Sequence, residues 1–262
     1  MNTIPDFPDF RQLYPEDKQY FDNYFCANPL NISDYTFSNF YAWRKLDNTQ
    51  ITLLNGNLCC LVTGPDKNRY FMMPLGNNIM EKTLKTCIEY TKTPVIRVSE
   101  DFIFRFNLSS SNFSLIEDRN NFDYVYLTKD LIELKGRKYD GKRNHINSFL
   151  KNNSYAYETM RASHINECIK LNKIWCQQKK KESELFPNIE CEGQVVEEAL
   201  INFAFLGLIG GIIIIDGNIE AFSLGEKLNS NTAVIHFEKA NPNIRGLAQL
   251  INREFVKNEW AN

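Results

Sequence analysis

The segment Thr232–Lys239 is where residue types and spacing first suggest chemistry. Read as a strand, its side chains alternate: Ile235, Phe237 and Lys239 share one face, while Val234, His236 and Glu238 share the other. An imidazole and a carboxylate on the face of a buried strand cost energy unless they are paired. Lining a cleft, Glu238 and His236 would move a proton or hold an amine. On a solvated face, or in an internal hydrogen bond, they would do neither, and the residue pattern leaves both open.

The run Asn243-Ile244-Arg245-Gly246-Leu247-Ala248 follows and opens a helix. Small residues there let the backbone approach a ligand, and the free N–H groups of a helix start favour an anion. The run is similar to the pyrophosphate loop of the acetyltransferase superfamily, which has Gln or Arg, two residues, Gly, one residue, then Gly or Ala. Gly246 and Ala248 match, but Asn243 replaces Gln or Arg, which counts against coenzyme A; a plain helix cap explains the same residues. A third feature is Tyr139–Phe149, where Ile146, Phe149 and Leu150 form an apolar stripe and Lys142, Arg143 and His145 lie mostly elsewhere. Such a helix can offer cations to phosphates, or it can simply present a solvated face.

Several function classes are excluded by composition. With 43% hydrophobic and 24% charged residues, the 262-residue chain is an ordinary globular sequence, long enough for one large core or two smaller ones. A net charge of −2 leaves room only for a local polyanion-binding patch. The one clearly basic stretch has Lys129, Lys135, Arg137, Lys138, Lys142, Arg143 and Lys151 against Asp130, Glu133 and Asp140, for 7 − 3 = +4. The seven cysteines (Cys26, Cys59, Cys60, Cys87, Cys168, Cys176, Cys191) lack metal or disulfide spacing and read as reduced core thiols, so no metal site is expected. No export signal is visible, which points to the cytoplasm. The apolar run Ala199–Ile215 is interrupted by Asn202, Gly207, Gly210 and Gly211, and reads as a helix end, a glycine stop and a buried strand rather than a membrane span. Gly-x-Ser-x-Gly, Walker, His-Glu-x-x-His and dinucleotide motifs are all missing.

The elements that must position these residues come in the same order twice. In the first half, helices near Tyr20–Phe25 and over Thr36–Arg44 precede strands Ile51–Leu54 and Leu58–Val62, joined by Asn55-Gly56. Strand Tyr70–Met73, helix Ile79–Tyr90, strand Pro94–Val98 and a short helix Asp101–Phe106 follow, with extended segments at Phe113–Glu117 and Asp123–Thr128. In the second half, strand Tyr155–Met160, helix Ser163–Gln178 and helix Gly193–Leu206 lead into strands Gly211–Ile215, Ile219–Gly225 and Thr232–Lys239, then helix Ile244–Lys257. Two related α/β units are expected, joined by a basic segment.

Taken together, the motifs resemble the phosphatidylglycerol lysyltransferase C-terminal-domain-like family over essentially the whole chain. The residues that carry the likeness are Leu134–Tyr139, Lys142-Arg143-Asn144-His145 to Phe149, Gly210-Gly211, Asp216-Gly217, Ala221–Glu226, His236–Ala240, Arg245-Gly246 and Ile251–Phe255, with Thr36–Arg44 similar to the family's first-domain helix. The resemblance implies two tandem acetyltransferase-like (GNAT-type) domains: residues 1–130, a basic connecting helix over 131–153, and residues 154–262. Family members continue into further strands where this chain stops at Trp260-Ala261-Asn262, so the second domain is expected to lack its last strands.

By the same analogy with Fem-type relatives, the expected reaction is acyl or aminoacyl transfer from acyl-CoA or aminoacyl-tRNA to an amine or hydroxyl, with an anionic lipid headgroup or a peptide as acceptor. Glu238 and His236 are expected to hold or deprotonate the acceptor; Arg245, Gly246, Ala248, Lys142, Arg143 and Asn144 to receive the donor; and Ser223, Glu226 and Lys239 to line the cleft. The alternative is a non-catalytic binding or regulatory module that keeps the tandem fold.

Overall fold

The structure, a computed structural model, describes residues 3–108, 113–182 and 189–261, without the side chains of 181, 182 and 189–191. Two compact units divide it, Met1–Asp123 and Tyr124–Asn262. The segment 131–153, read from sequence as a connector, packs into the second unit: Leu134, Tyr139, Ile146 and Phe149 are part of that unit's core.

In the first unit, β1 (Arg11–Gln12) precedes α1 (Lys18–Ala27) and α2 (Phe37–Trp43), and the strands β2 (Gln50–Leu54), β3 (Asn57–Thr63) and β4 (Arg69–Phe71) follow. They form an antiparallel sheet in the order β1-β2-β3-β4. Thr36 caps α2 by accepting from the Asn39 N–H at 3.1 Å. Asn55 and Gly56 turn β2 into β3 with φ of 54° and 76°, a conformation Asn and Gly tolerate and most residues resist. Helices α3 (Met80–Thr91) and α4 (Glu100–Arg105) complete the unit. Leu54, Cys59, Leu61, Phe71 and Cys87 form one buried cluster, against which Phe7, Phe10 and Val95 pack. The expected strand Pro94–Val98 does not form. Only Ile96 bridges to Met72, and Arg97, with φ of 55°, turns the chain out of the extended region.

The second unit opens with α5 (Thr128–Glu133) and α6 (Asp140–Asn152) and then repeats the first unit's order. Strand β5 (Ala156–Thr159) leads to α7 (Ile165–Glu182), α8 (Ile189–Ile201) and α9 (Phe203–Leu206). The meander β6 (Ile209–Ile215), β7 (Asn218–Asn229) and β8 (Thr232–Ala240) precedes α10 (Leu247–Glu259), and the sheet order is β5-β6-β7-β8, all antiparallel. The helix expected over Gly193–Leu206 starts earlier and breaks at Asn202, and Gly207, with φ of 70°, ends it. Among the described residues, no helix is long and apolar enough to cross a membrane.

Helix α10 seals one sheet face. Its Leu247, Leu250 and Ile251 pack with Ile213, Ile215, Ala221 and Ala240, and with Ile146 and Phe149 of α6. Each of the Leu, Ile and Phe side chains contributes roughly 1.5–3 kcal/mol by leaving water, so this face is a firm platform for any polar group set into it. Of the cysteines whose side chains are described, Cys59, Cys60, Cys87 and Cys168 are buried free thiols, as expected of core residues; Cys191 lies outside the described side chains.

Candidate active site

The pairing of β7 with β8 decides where the candidate residues point. Ala221, Phe222, Ser223 and Leu224 stand opposite Ala240, Lys239, Glu238 and Phe237, but Gly225 then stands opposite Ile235. His236 is left over as a β-bulge, and the simple alternation of sides stops there. Gly225 marks the spot: a Cβ on it would lie 2.5 Å from the Val234 carbonyl oxygen, so only glycine lets the bulged strand come this close. As a result, His236 and Glu238 do not share a face. His236 turns towards Glu226, on the side that carries Lys239, whereas Glu238 faces α10.

On the α10 side, Glu238 accepts a hydrogen bond at Oε2 from the Asn252 amide, at 3.1 Å. Burial pushes its carboxyl up to about 7; the Asn252 hydrogen bond and the positive charge of Lys142 act against that rise. The Lys142 ammonium lies 5.6 Å from the Tyr126 ring centroid. Ser223, the cross-strand neighbour of Glu238, is 0% exposed, and its Oγ has no hydrogen-bond partner among the described residues. Farther along the same helix, Glu259 accepts from the Tyr157 hydroxyl at 2.9 Å and the Thr159 hydroxyl at 2.8 Å, tying the end of α10 to β5.

The opposite face holds a second, self-satisfied set of polar groups. His236 Nε2 lies 2.8 Å from Glu226 Oε1. Lys239 sits under Trp175, 3.7 Å from the ring centroid, and donates to Glu192 of α8. These are the cation–π and carboxylate contacts that a buried lysine needs.

Of the residues read as donor-binding, only Lys142 comes near Glu238. Arg143 donates to the Leu134 and Gly136 carbonyls and to Asp140, so its guanidinium clamps the turn before α6. Gly246, with φ of 87°, lets the start of α10 press on α6: a Cβ there would lie 2.2 Å from the His145 carbonyl oxygen. Arg245 is exposed, with Nε 3.5 Å from His145 Nδ1, and Ala248 and Asn144 are exposed. Asn252 lies in the Ile251–Phe255 motif but is not among the residues expected at the site, and neither are Trp175 and Glu192. A polar residue flanking the apolar stripe of Leu247, Leu250, Ile251 and Phe255 was the available signal for Asn252. Among the described residues, no group of three His, Cys, Asp or Glu side chains is placed to hold a metal ion.

A family model described as phosphatidylglycerol lysyltransferase, C-terminal, matches residues 29–262. The chain belongs to this family. A crystal structure of a conserved protein of unknown function from Bacteroides thetaiotaomicron is 31% identical, with a TM-score of 0.81 over 97% of this chain and 86% of that one. The C-terminal domain of a candidate lysylphosphatidylglycerol synthetase from Agrobacterium fabrum is 12% identical, with a TM-score of 0.55 over 92% of this chain and 74% of that one, a likeness of fold alone. No curated protein matches the chain.

Proposed function

We propose that the second unit transfers an acyl or aminoacyl group from an activated donor, aminoacyl-tRNA or acyl-coenzyme A, to an amine or hydroxyl, and that both units are acetyltransferase-like. The shared order of strand, two helices, three-stranded meander and helix supports the tandem reading. One arrangement carries the reaction: Glu238, half-buried on the face towards α10, is hydrogen-bonded to Asn252 and lies in the field of Lys142, and burial raises its carboxyl. A base with a pKa near the working pH combines a useful fraction of the ionised form with enough basicity.

The acceptor N or O attacks the carbonyl carbon of the donor, the new C–N or C–O bond forms, and the bond to the leaving oxygen or sulfur breaks. The acceptor's proton passes to Glu238 and the leaving group takes a proton. Orientation of the two substrates supplies most of the remaining acceleration, and no covalent enzyme intermediate is required. Lys142 would attract the donor's phosphates or an anionic headgroup. His236, being on the other face, takes no part in this step and instead holds Glu226.

The test is transfer of radiolabel from aminoacyl-tRNA to phosphatidylglycerol vesicles, run beside a panel of acyl-coenzyme A donors and small amines. Turnover should rise with pH through about 7, as Glu238 ionises. Glu238→Gln should lower it by roughly 10²–10⁴-fold. Turnover indifferent to that change would remove the proposed base. A second reading, a binding or regulatory module without turnover, is favoured by Arg143 and Gly246 being committed to internal packing. Saturable donor binding with no product would support it.

A further inference from the structure

We propose that the run Tyr124-Val125-Tyr126-Leu127, with the basic segment that follows it, forms a surface by which the second unit docks on an anionic lipid bilayer. The surface makes no use of Glu238, so it goes beyond the transfer reading and does not rest on it.

The run belongs to neither helix nor sheet and leads straight into α5. Its side chains are left in water: Tyr124 is 85% exposed, Val125 84%, Tyr126 49% and Leu127 72%. Single exposed apolar residues need no explanation, but four in succession do. The run is also held in place. The Leu127 carbonyl accepts from the N–H groups of Asp130 and Leu131, at 2.9 and 3.2 Å, which fixes its end to the first turn of α5. The Lys142 ammonium over the Tyr126 ring sets it against α6, and Lys138, just before α6, donates to Asp130 of α5 at 3.0 Å. The apolar run, α5 and the start of α6 therefore form one connected surface.

Charge decides what covers it. From Tyr124 to Lys151 seven cations face three acids, 7 − 3 = +4, in a chain whose net charge is −2. All three acids are engaged: Asp130 by Lys138, Glu133 by Lys135 and Asp140 by Arg143. Lys129 and Arg137 are exposed and have no ion pair among the described residues. A second copy of the chain would set one positive segment against another. A nucleic acid would neutralise the cations and stack on the tyrosines, but would leave Val125 and Leu127 without a counterpart. An anionic bilayer meets both needs. Tyrosine rings sit at headgroup level, aliphatic side chains reach the acyl boundary, and the cations meet phosphates.

The test is co-sedimentation of the full chain with phosphatidylcholine vesicles, with and without phosphatidylserine, an anionic lipid that separates docking from any acceptor chemistry. The chain should sediment with the mixed vesicles alone and should be released by salt. In Val125→Trp, the emission of the new indole should move to the blue on those vesicles. Tyr124→Ser combined with Val125→Ser should weaken partitioning roughly tenfold or more. Lys129→Glu combined with Arg137→Glu should weaken it by at least about fivefold for each cation lost. All four residues are exposed, so thermal melts of both double variants should match the parent. No sedimentation with the mixed vesicles, or sedimentation unchanged in both double variants, would overturn the surface. So would self-association, or tRNA binding, that the Tyr124 and Val125 changes abolish while the vesicles go unbound. The transfer reading fails separately: vesicle binding without turnover would remove it and leave the surface standing, and turnover on a soluble acceptor without vesicle binding would do the reverse.

Discussion

The two units run through the same order of elements and treat the junction between meander and following helix in opposite ways. In the first, Asn57 is fully buried, and its amide donates to Leu54 O at 3.2 Å, Asn78 O at 2.7 Å and Thr83 Oγ1 at 3.0 Å, while its Oδ1 accepts from Asn78 N–H at 3.0 Å. The loop lies so close that a Cβ on Gly76 would fall 2.0 Å from that Oδ1. The β3–β4 ladder has no register shift. In the second, the β7–β8 ladder is interrupted at His236, and on the face towards α10 Ser223 Oγ has no partner among the described residues, across the ladder from a carboxyl raised by burial. A saturated set of polar groups marks a structural junction, whereas leftover polar groups mark where chemistry is to be tested.

Perturbing each junction sharpens the contrast. The largest stability effect is expected from Asn57→Ala. It removes both amide N–H donors and the Oδ1 acceptor from a buried loop and should cost about 3 kcal/mol in urea unfolding of the first unit; a loss below about 1 kcal/mol would mean that the saturated junction is not what holds that loop.

Next is the pH dependence of Glu238→Gln. A carboxyl whose folded pKa lies above its unfolded value carries a penalty that is absent below the unfolded pKa, grows between the two, and is complete above the folded one. For Glu238 the window runs from the usual 4.5 to about 7. Glutamine has no charge to bury, so the variant's stability relative to the parent should improve by about 3 kcal/mol between acid and pH 8. A flat difference across that range would show that Glu238 is well solvated. Stability and turnover would then move in opposite directions at one residue, which Asn57 should not show.

Gly246→Ala should cost about 2–3 kcal/mol, because both its left-handed φ and the His145 carbonyl oppose a side chain. Gly136, with φ of 90° and open space around it, should lose only about 1 kcal/mol on the same change. Thermal melts that rank the two equally would deny the tight approach of α10 to α6. The smallest effect is Ser223→Ala, which should change stability by less than about 1 kcal/mol since no protein hydrogen bond is lost. A larger loss would mean that the hydroxyl is structural.

Much of the scaffold was legible because particular residues have few alternatives. Asn55-Gly56 and Asp216-Gly217 take left-handed turns that most side chains resist, so both hairpins could be placed from sequence. Thr36 announced the start of α2. The sharing of a face by His236 and Glu238 was misread, because counting by twos is blind to an unpaired residue. The clue was across the ladder at Gly225, a glycine inside a strand. Arg143 looked like a ligand cation in sequence, but carbonyl oxygens of the preceding turn claim it. That Lys142 reaches the field of Glu238 is a fact of tertiary packing which spacing along the chain does not encode. The same holds for Asn252, which meets Glu238 because α10 packs against β8.

The proposed reaction turns on the ionisation of one side chain. Carboxyl-carbon NMR titration of Glu238, assigned by its loss in Glu238→Gln, measures it without any substrate. A midpoint close to 7 is the predicted result. A midpoint at the ordinary 4.5 would place the carboxylate in water and contradict the proposed base.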